Sequence, residues 1–201
     1  IKFKFLSFVK NLINNRLMFN FYNKNFFCLS FLICFLAVNG FSQTLSTYQF
    51  TSSTSTFSLI TGGTLLGKTT ASTGNIPSLD KAVYNLPAGT IPFSFKFENN
   101  SYTGMYVSSN GFITFGTLSP NVSLNLPLSD NSAFAGVLAP MANDLNGFYN
   151  AVDTTKNSEI RYQVLGSSPN RVFVVQWKFM RPWSSATTLV NYLNFQVKLY
   201  E

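Results

Sequence analysis

The chain of 201 residues is 46% hydrophobic and 16% aromatic but only 10% charged, and it contains no histidine. That composition excludes charge-driven disorder, collagen and coiled coil, and the missing imidazole removes the Ser-His-Asp and Cys-His nucleophile systems and the commonest zinc ligand. The net charge of +7 sits unevenly: five bases and no acid precede Thr44, after which nine bases are interspersed with seven acids and form no phosphate-tracking stripe.

The first segment reads as an export signal. Phe26 to Val38 is an uncharged apolar run preceded by Lys24 and followed by Asn39-Gly-Phe-Ser-Gln43. It is too short to span about 30 Å of hydrocarbon as a helix and has the length of a secretory h-region. Gly40 and Ser42 supply small residues at the −3 and −1 positions, so cleavage is expected between Ser42 and Gln43. Met18 gives the more economical start. Residues 1–17 then read as upstream sequence, 18–42 as the signal-peptide helix, 43–73 as Ser/Thr-rich strands or linker, and 74–201 as the main module, cut at its C-terminal end. Both cysteines, Cys28 and Cys34, fall in the apolar run, so the body has neither a disulfide framework nor a cysteine metal site.

From Thr44 the chain alternates with a period of two. Thr44 to Thr73 predicts short edge strands or a loosely held segment, broken at Gly62-Gly63. Ile91, Phe93, Phe95 and Phe97 alternate with polar neighbours and predict a half-buried strand with an aromatic row. Asn110-Gly111, between Met105–Ser109 and Phe112–Phe115, predicts a type I′ hairpin with positive φ at both positions. Gly116 to Ser132 reads as a long connection. Ala133 to Ala139 reads as a doubly buried strand stopped by Pro140. Ile160, Tyr162 and Val164 share one face of the next strand. Phe173, Val175, Trp177 and Phe179 share a face after it, opposite Val172, Val174, Gln176 and Lys178. Leu189 to Tyr200 places Leu189, Leu193, Phe195, Val197 and Leu199 inward. The pattern predicts an all-β fold of two antiparallel sheets packed face to face, a β-sandwich, in which about 158 residues bury about 70% of their unfolded surface.

The motifs Ile91-Pro-Phe-Ser-Phe-Lys-Phe97, Ser101-Tyr-Thr103, Tyr106-Val-Ser-Ser-Asn-Gly-Phe-Ile-Thr-Phe-Gly116, Ala139-Pro140, Asn143-Asp-Leu145 and Asn170-Arg-Val-Phe-Val-Val-Gln-Trp177 follow one another in the order of a nidogen-like extracellular module. From Tyr48 to Glu201 the chain resembles the N-terminal modules of large secreted Bacteroidota surface proteins, substrates of type IX secretion. The resemblance implies a non-catalytic unit with no cofactor and with further domains, such as fibronectin type III repeats, in the same polypeptide. Met141 replaces an aromatic of the related pattern, and Asn146 stands where a second acid is common.

Candidate chemistry is sparse. Asp80, Glu98, Asp130, Asp144, Asp153 and Glu159 are the acids from which a glycosidase pair would be drawn, with Asp144 and Glu159 the pair to mutate. Asn143, Asp144 and Asn146 offer three oxygens beside Gly147, enough for a hard cation or for an ordinary Asx-turn. Trp183, Phe148 and Tyr149 are the aromatics expected at loop tips, where a surface glycan or protein ligand would lie; capping of the sandwich end is the competing role. The function expected is a structural or adhesive module of a secreted or cell-surface bacterial protein. The alternatives are a carbohydrate-binding module attached to a downstream enzyme and part of a secreted hydrolase. Neither nucleic acid nor membrane, apart from the export step, is an expected partner.

Overall fold

Alternating apolar residues close into sheets wherever a turn lets the next strand return. The computed structural model describes residues 48–70, 79–183 and 192–201. The leader, with Ser42, Gln43 and the expected signal helix, lies outside the described residues, as does Leu189. Two compact units divide the chain, Ile1–Thr51 and Ser52–Glu201, and the described strands belong to the second.

The larger sheet consists of β1 (Thr64–Lys68), β9 (Glu159–Leu165), β10 (Val172–Pro182) and β11 (Leu193–Tyr200) in that spatial order, with β8 (Leu145–Asn146) paired to the far end of β10. The smaller orders β2 (Val83–Leu86), β5 (Met105–Ser108), β6 (Phe112–Phe115) and β7 (Gly136–Leu138), and β3 (Phe95–Phe97) with β4 (Asn100–Tyr102) makes a separate hairpin. Every pairing is antiparallel. The expected all-β sandwich is the fold observed. Its core joins Leu86, Met105, Val107, Ile113 and Phe115 of one sheet to Ile160, Phe173, Val175, Trp177, Met180 and Leu199 of the other. Each such side chain contributes about 1.5–3 kcal/mol by leaving water.

The aromatic row of the first predicted strand exists, but the strand is shorter than its alternation. Ile91 and Phe93 are buried without ladder partners, and only Phe95–Phe97 pairs. Phe95, Phe97 and Tyr102 close around Phe115, with centroids 5.6, 5.4 and 4.8 Å from its ring. These aromatic contacts dock the β3–β4 hairpin on the core.

Three expectations are corrected by the backbone. Ser108 pairs with Phe112, so Ser109–Gly111 is a three-residue loop and only Gly111 is left-handed, at φ +79. A Cβ there would lie 2.8 Å from the Met141 carbonyl oxygen. The two-residue turn with positive φ at both positions occurs instead at Glu98 (φ 49) and Asn99 (φ 64), between paired Phe97 and Asn100. Ala133 to Ala139 yields only the three-residue edge strand β7, whose Val137 and Leu138 are half-buried. Finally, Trp177 pairs with Phe195 and Met180 with Leu193, so Lys178 and Phe179 together oppose Asn194. This bulge, with Phe179 at φ 53, reverses the parity: Met180 is buried at 0% exposure and Phe179 turns outward against Tyr192.

Candidate functional site

The Asn110 loop and the short strand β8 meet at one end of the sandwich. Freed from a left-handed role, Asn110 is 1% exposed and works through its amide. Its Nδ2 donates to the Leu124 carbonyl at 2.8 Å, and its Oδ1 accepts from the Leu145 N–H at 3.1 Å. Its own carbonyl accepts from the Asn143 N–H at 3.3 Å. One side chain thus ties the long connection and the start of β8 to the β5–β6 hairpin. Ser109 adds the link to β2, accepting from the Ala82 N–H through Oγ at 2.9 Å.

β8 fixes where the chain carries the aromatics expected at loop tips. Arg181 pairs with Asn146 and Pro182 with Leu145. Trp183 therefore leaves the ladder at one end, its N–H donating to the Asp144 carbonyl at 2.7 Å while its side chain stays 59% exposed. Phe148 leaves at the other end. Its N–H donates to Ser158 Oγ at 2.6 Å, and its carbonyl accepts from Thr69 Oγ1 at 2.6 Å and from the Ser158 N–H at 3.0 Å. Ser158 Oγ in turn donates to the Phe179 carbonyl at 2.6 Å. Phe148 and Tyr149 are half-buried in this polar lattice. Trp183 instead follows β10, its N–H bonded to the Asp144 carbonyl.

The acids divide in the same way. Glu159, 6% exposed, is held by Arg161 at 3.0 and 3.1 Å in a two-pronged pair and by Lys178 at 3.6 Å. Asp153 caps a turn of 3-10 helix at Thr154–Lys156 and pairs with Lys156 at 3.3 Å. The Ser132 hydroxyl first, and its N–H at 2.7 Å second, hold the Asp130 carboxyl below the usual range. Glu201 is gripped by Arg171, Ser168 and the Arg171 N–H, and these bonds lower its pKa to about 2.

Asp80 is different. One of its oxygens, Oδ1, is buried with no hydrogen-bond partner. Desolvation pushes its pKa up; Lys81 opposes the rise, and the charge of Asp144 adds to it. Asp80 and Asp144, rather than Asp144 and Glu159, are thus the electrostatically linked acids. Sixty-four positions separate them in sequence, and no local pattern announces the neighbourhood. Of the three oxygens proposed beside Gly147, Asn143 Oδ1 accepts from the Asp144 N–H at 2.8 Å and Asn146 Oδ1 accepts from Arg181 Nε at 2.8 Å. Among the described residues no group of three or more acids or cysteines is placed to hold a metal ion.

No curated protein and no solved structure matches the chain. A family model described as NIDO related matches residues 47–201. That span takes in both sheets, the Asn110 loop and the exposed Trp183, and the chain belongs to this NIDO-related, that is nidogen-related, family.

Proposed function

We propose that the chain is a non-catalytic structural or adhesive module of a secreted or cell-surface protein. Family membership supports the extracellular setting, since nidogen-related domains are typically extracellular. The observation that carries the reading is that the architecture consumes most of the chain's acids and buried amides, Asp80 excepted. Glu159, Asp153, Asp130 and Glu201 are all engaged by cations or main-chain donors, and the buried Asn110, Asn146 and Gln176 are spent on hydrogen bonds within the sandwich. A general acid or nucleophile needs a group left available to substrate.

The apolar run before Gln43 supports export, and bacterial type IX secretion is the route the sequence resemblance suggests. The test is to express the full chain in a bacterium of that secretion type and sequence the N-terminus of the surface-exposed product. The product is expected to begin at Gln43; an intact leader on cytosolic protein would contradict export.

Carbohydrate binding is the second reading, and Trp183 favours it. A large aromatic at 59% exposure suits the apolar face of a pyranose. Glycan-array binding by the chain that disappears in Trp183→Ala would support this reading, and unchanged binding would remove it.

A further inference from the structure

The outer face of the larger sheet is covered by chain that has no ladder of its own. Residues 52–62 form no strand, yet Val174 and Gln176, on the face of β10 away from the core, are both buried at 0% exposure. The cover is held by three side chains in a single transverse row. Arg161 of β9, Gln176 of β10 and Gln196 of β11 stand directly opposite one another across the ladder.

Each rung of the row reads main-chain atoms. Gln196 Nε2 donates to the Ser58 carbonyl at 2.8 Å and also to Gln176 Oε1 at 2.8 Å. Gln176 Oε1 accepts from the Ile60 N–H at 2.8 Å while its Nε2 donates to the Ile60 carbonyl at 3.0 Å, the pairing that a neighbouring strand would give. Arg161 Nη1 donates to the carbonyls of Thr61 and Gly62 at 2.7 and 2.9 Å. The strap therefore crosses the sheet from β11 to β9, then passes through Gly62-Gly63 into β1. Phe57 and Leu59 remain 48% and 37% exposed, so the face recognises an extended backbone more than it recognises side chains.

We propose that the Arg161–Gln176–Gln196 row is a binding site for an extended main chain, filled here by the protein's own strap, and that the strap of a second copy can take its place. A strap from another copy offers the same atoms at the same spacing, so exchange conserves every bond and changes only the hinge. The hinge is marked: Gly63 has φ +78, and a Cβ on it would lie 2.1 Å from the Tyr162 carbonyl oxygen, so the connection is built for glycine. This goes beyond the structural reading above, because it names a surface and an occupant.

The test uses two defective full-length copies. Ile60→Pro removes the N–H that Gln176 receives and leaves the row intact; Gln176→Met removes the row's central amide and leaves the strap intact. Wild-type chains, one of them isotope-labelled, are expected to give mixed dimers in native mass spectrometry after incubation at high concentration. Each variant alone is expected to dimerise as the wild type does, because its closed monomer and its exchanged dimer lose the same bonds. Mixing the two is expected to favour mixed over like dimers about tenfold beyond the statistical proportion, since only in the mixed dimer does one sound strap meet one sound row. Gln196→Met serves as a second row variant, at the less buried end of the row, should Gln176→Met lose its native near-ultraviolet circular dichroism. Absence of mixed dimers from both the wild-type and the complementing mixtures would overturn the proposal. Mixed dimers of the two variants at no more than the statistical proportion would overturn it equally, by placing the interface elsewhere.

Discussion

The indole Nε1–H of Trp177 donates to the main-chain oxygen of Ser108 at 2.9 Å, so the longest strand of one sheet is hydrogen-bonded through the core to the hairpin of the other. Trp177 also stacks on Phe195 at 5.0 Å and has no exposed surface. It therefore fixes the distance between the layers as well as filling the space between them. Trp177→Phe should cost about 2 kcal/mol, mostly through the orphaned Ser108 oxygen, and Trp177→Ala about 4 kcal/mol through the added cavity. Denaturant unfolding of the two variants checks the order; a Trp177→Phe loss near zero would show that the hydrogen bond contributes nothing.

Asn110 offers a sharper discrimination. Were it present for backbone conformation, Asn110→Gly would be harmless. Its side chain instead satisfies Leu124 and Leu145, so Asn110→Gly and Asn110→Ala should each lose about 2–4 kcal/mol. Thermal melts of the pair are expected to fall together, well below wild type.

Glu159 lies between Arg161 and Lys178 with little solvent to replace it. Removing it leaves two largely buried cations unpaired, and Glu159→Ala should destabilise by about 3 kcal/mol. Because Arg161 also holds Thr61 and Gly62, the Ile60 amide should exchange faster with deuterium in this variant.

Asp80 titrates with a raised pKa because burial disfavours its charge and Asp144 adds repulsion. An acid raised on folding weakens the fold above its folded pKa, and the deficit vanishes below the unfolded value of 3.8. Asp80→Asn should accordingly raise Tm at pH 7, with the gain shrinking as pH falls toward 3.8. A gain that is constant across this range would assign it to packing instead.

Glu201 has the opposite sign. Its folded pKa of about 2 lies below the ordinary 4.5, so the stability it contributes is present above pH 4.5 and is lost as pH falls toward 2. In Arg171→Gln, the Glu201 carboxyl followed by NMR should titrate much closer to 4.5.

The inward parity of β9 and β10, the burial of Trp177 and the half-buried aromatic row follow from period-two alternation, which depends only on neighbouring residues. What escaped that reading depends on residues far apart in the chain. The bulge at Lys178-Phe179 is tied by Asn194 Oδ1, which accepts from the Phe179 N–H at 2.8 Å, and nothing in the β10 sequence alone records it. Gln176 reads as an exposed outer-face residue until residues 58–62 lie across it. Asn110-Gly111 is a turn signal in either loop length, and only the Ser108–Phe112 register decides which residue is left-handed. The placing of Trp183 and Phe148 past opposite ends of the β8–β10 ladder likewise required that pairing, since both follow turn residues and look alike in sequence.

Attachment without chemistry is the property that a structural or adhesive surface module must have. Beads coated with the full chain should adhere saturably to a cell or matrix surface, and the glycans, esters and peptides of that surface should be unchanged afterwards by mass spectrometry. Release of cleaved products that stops in an Asp80→Asn, Asp144→Asn double variant would contradict the non-catalytic reading and make those two acids an active site.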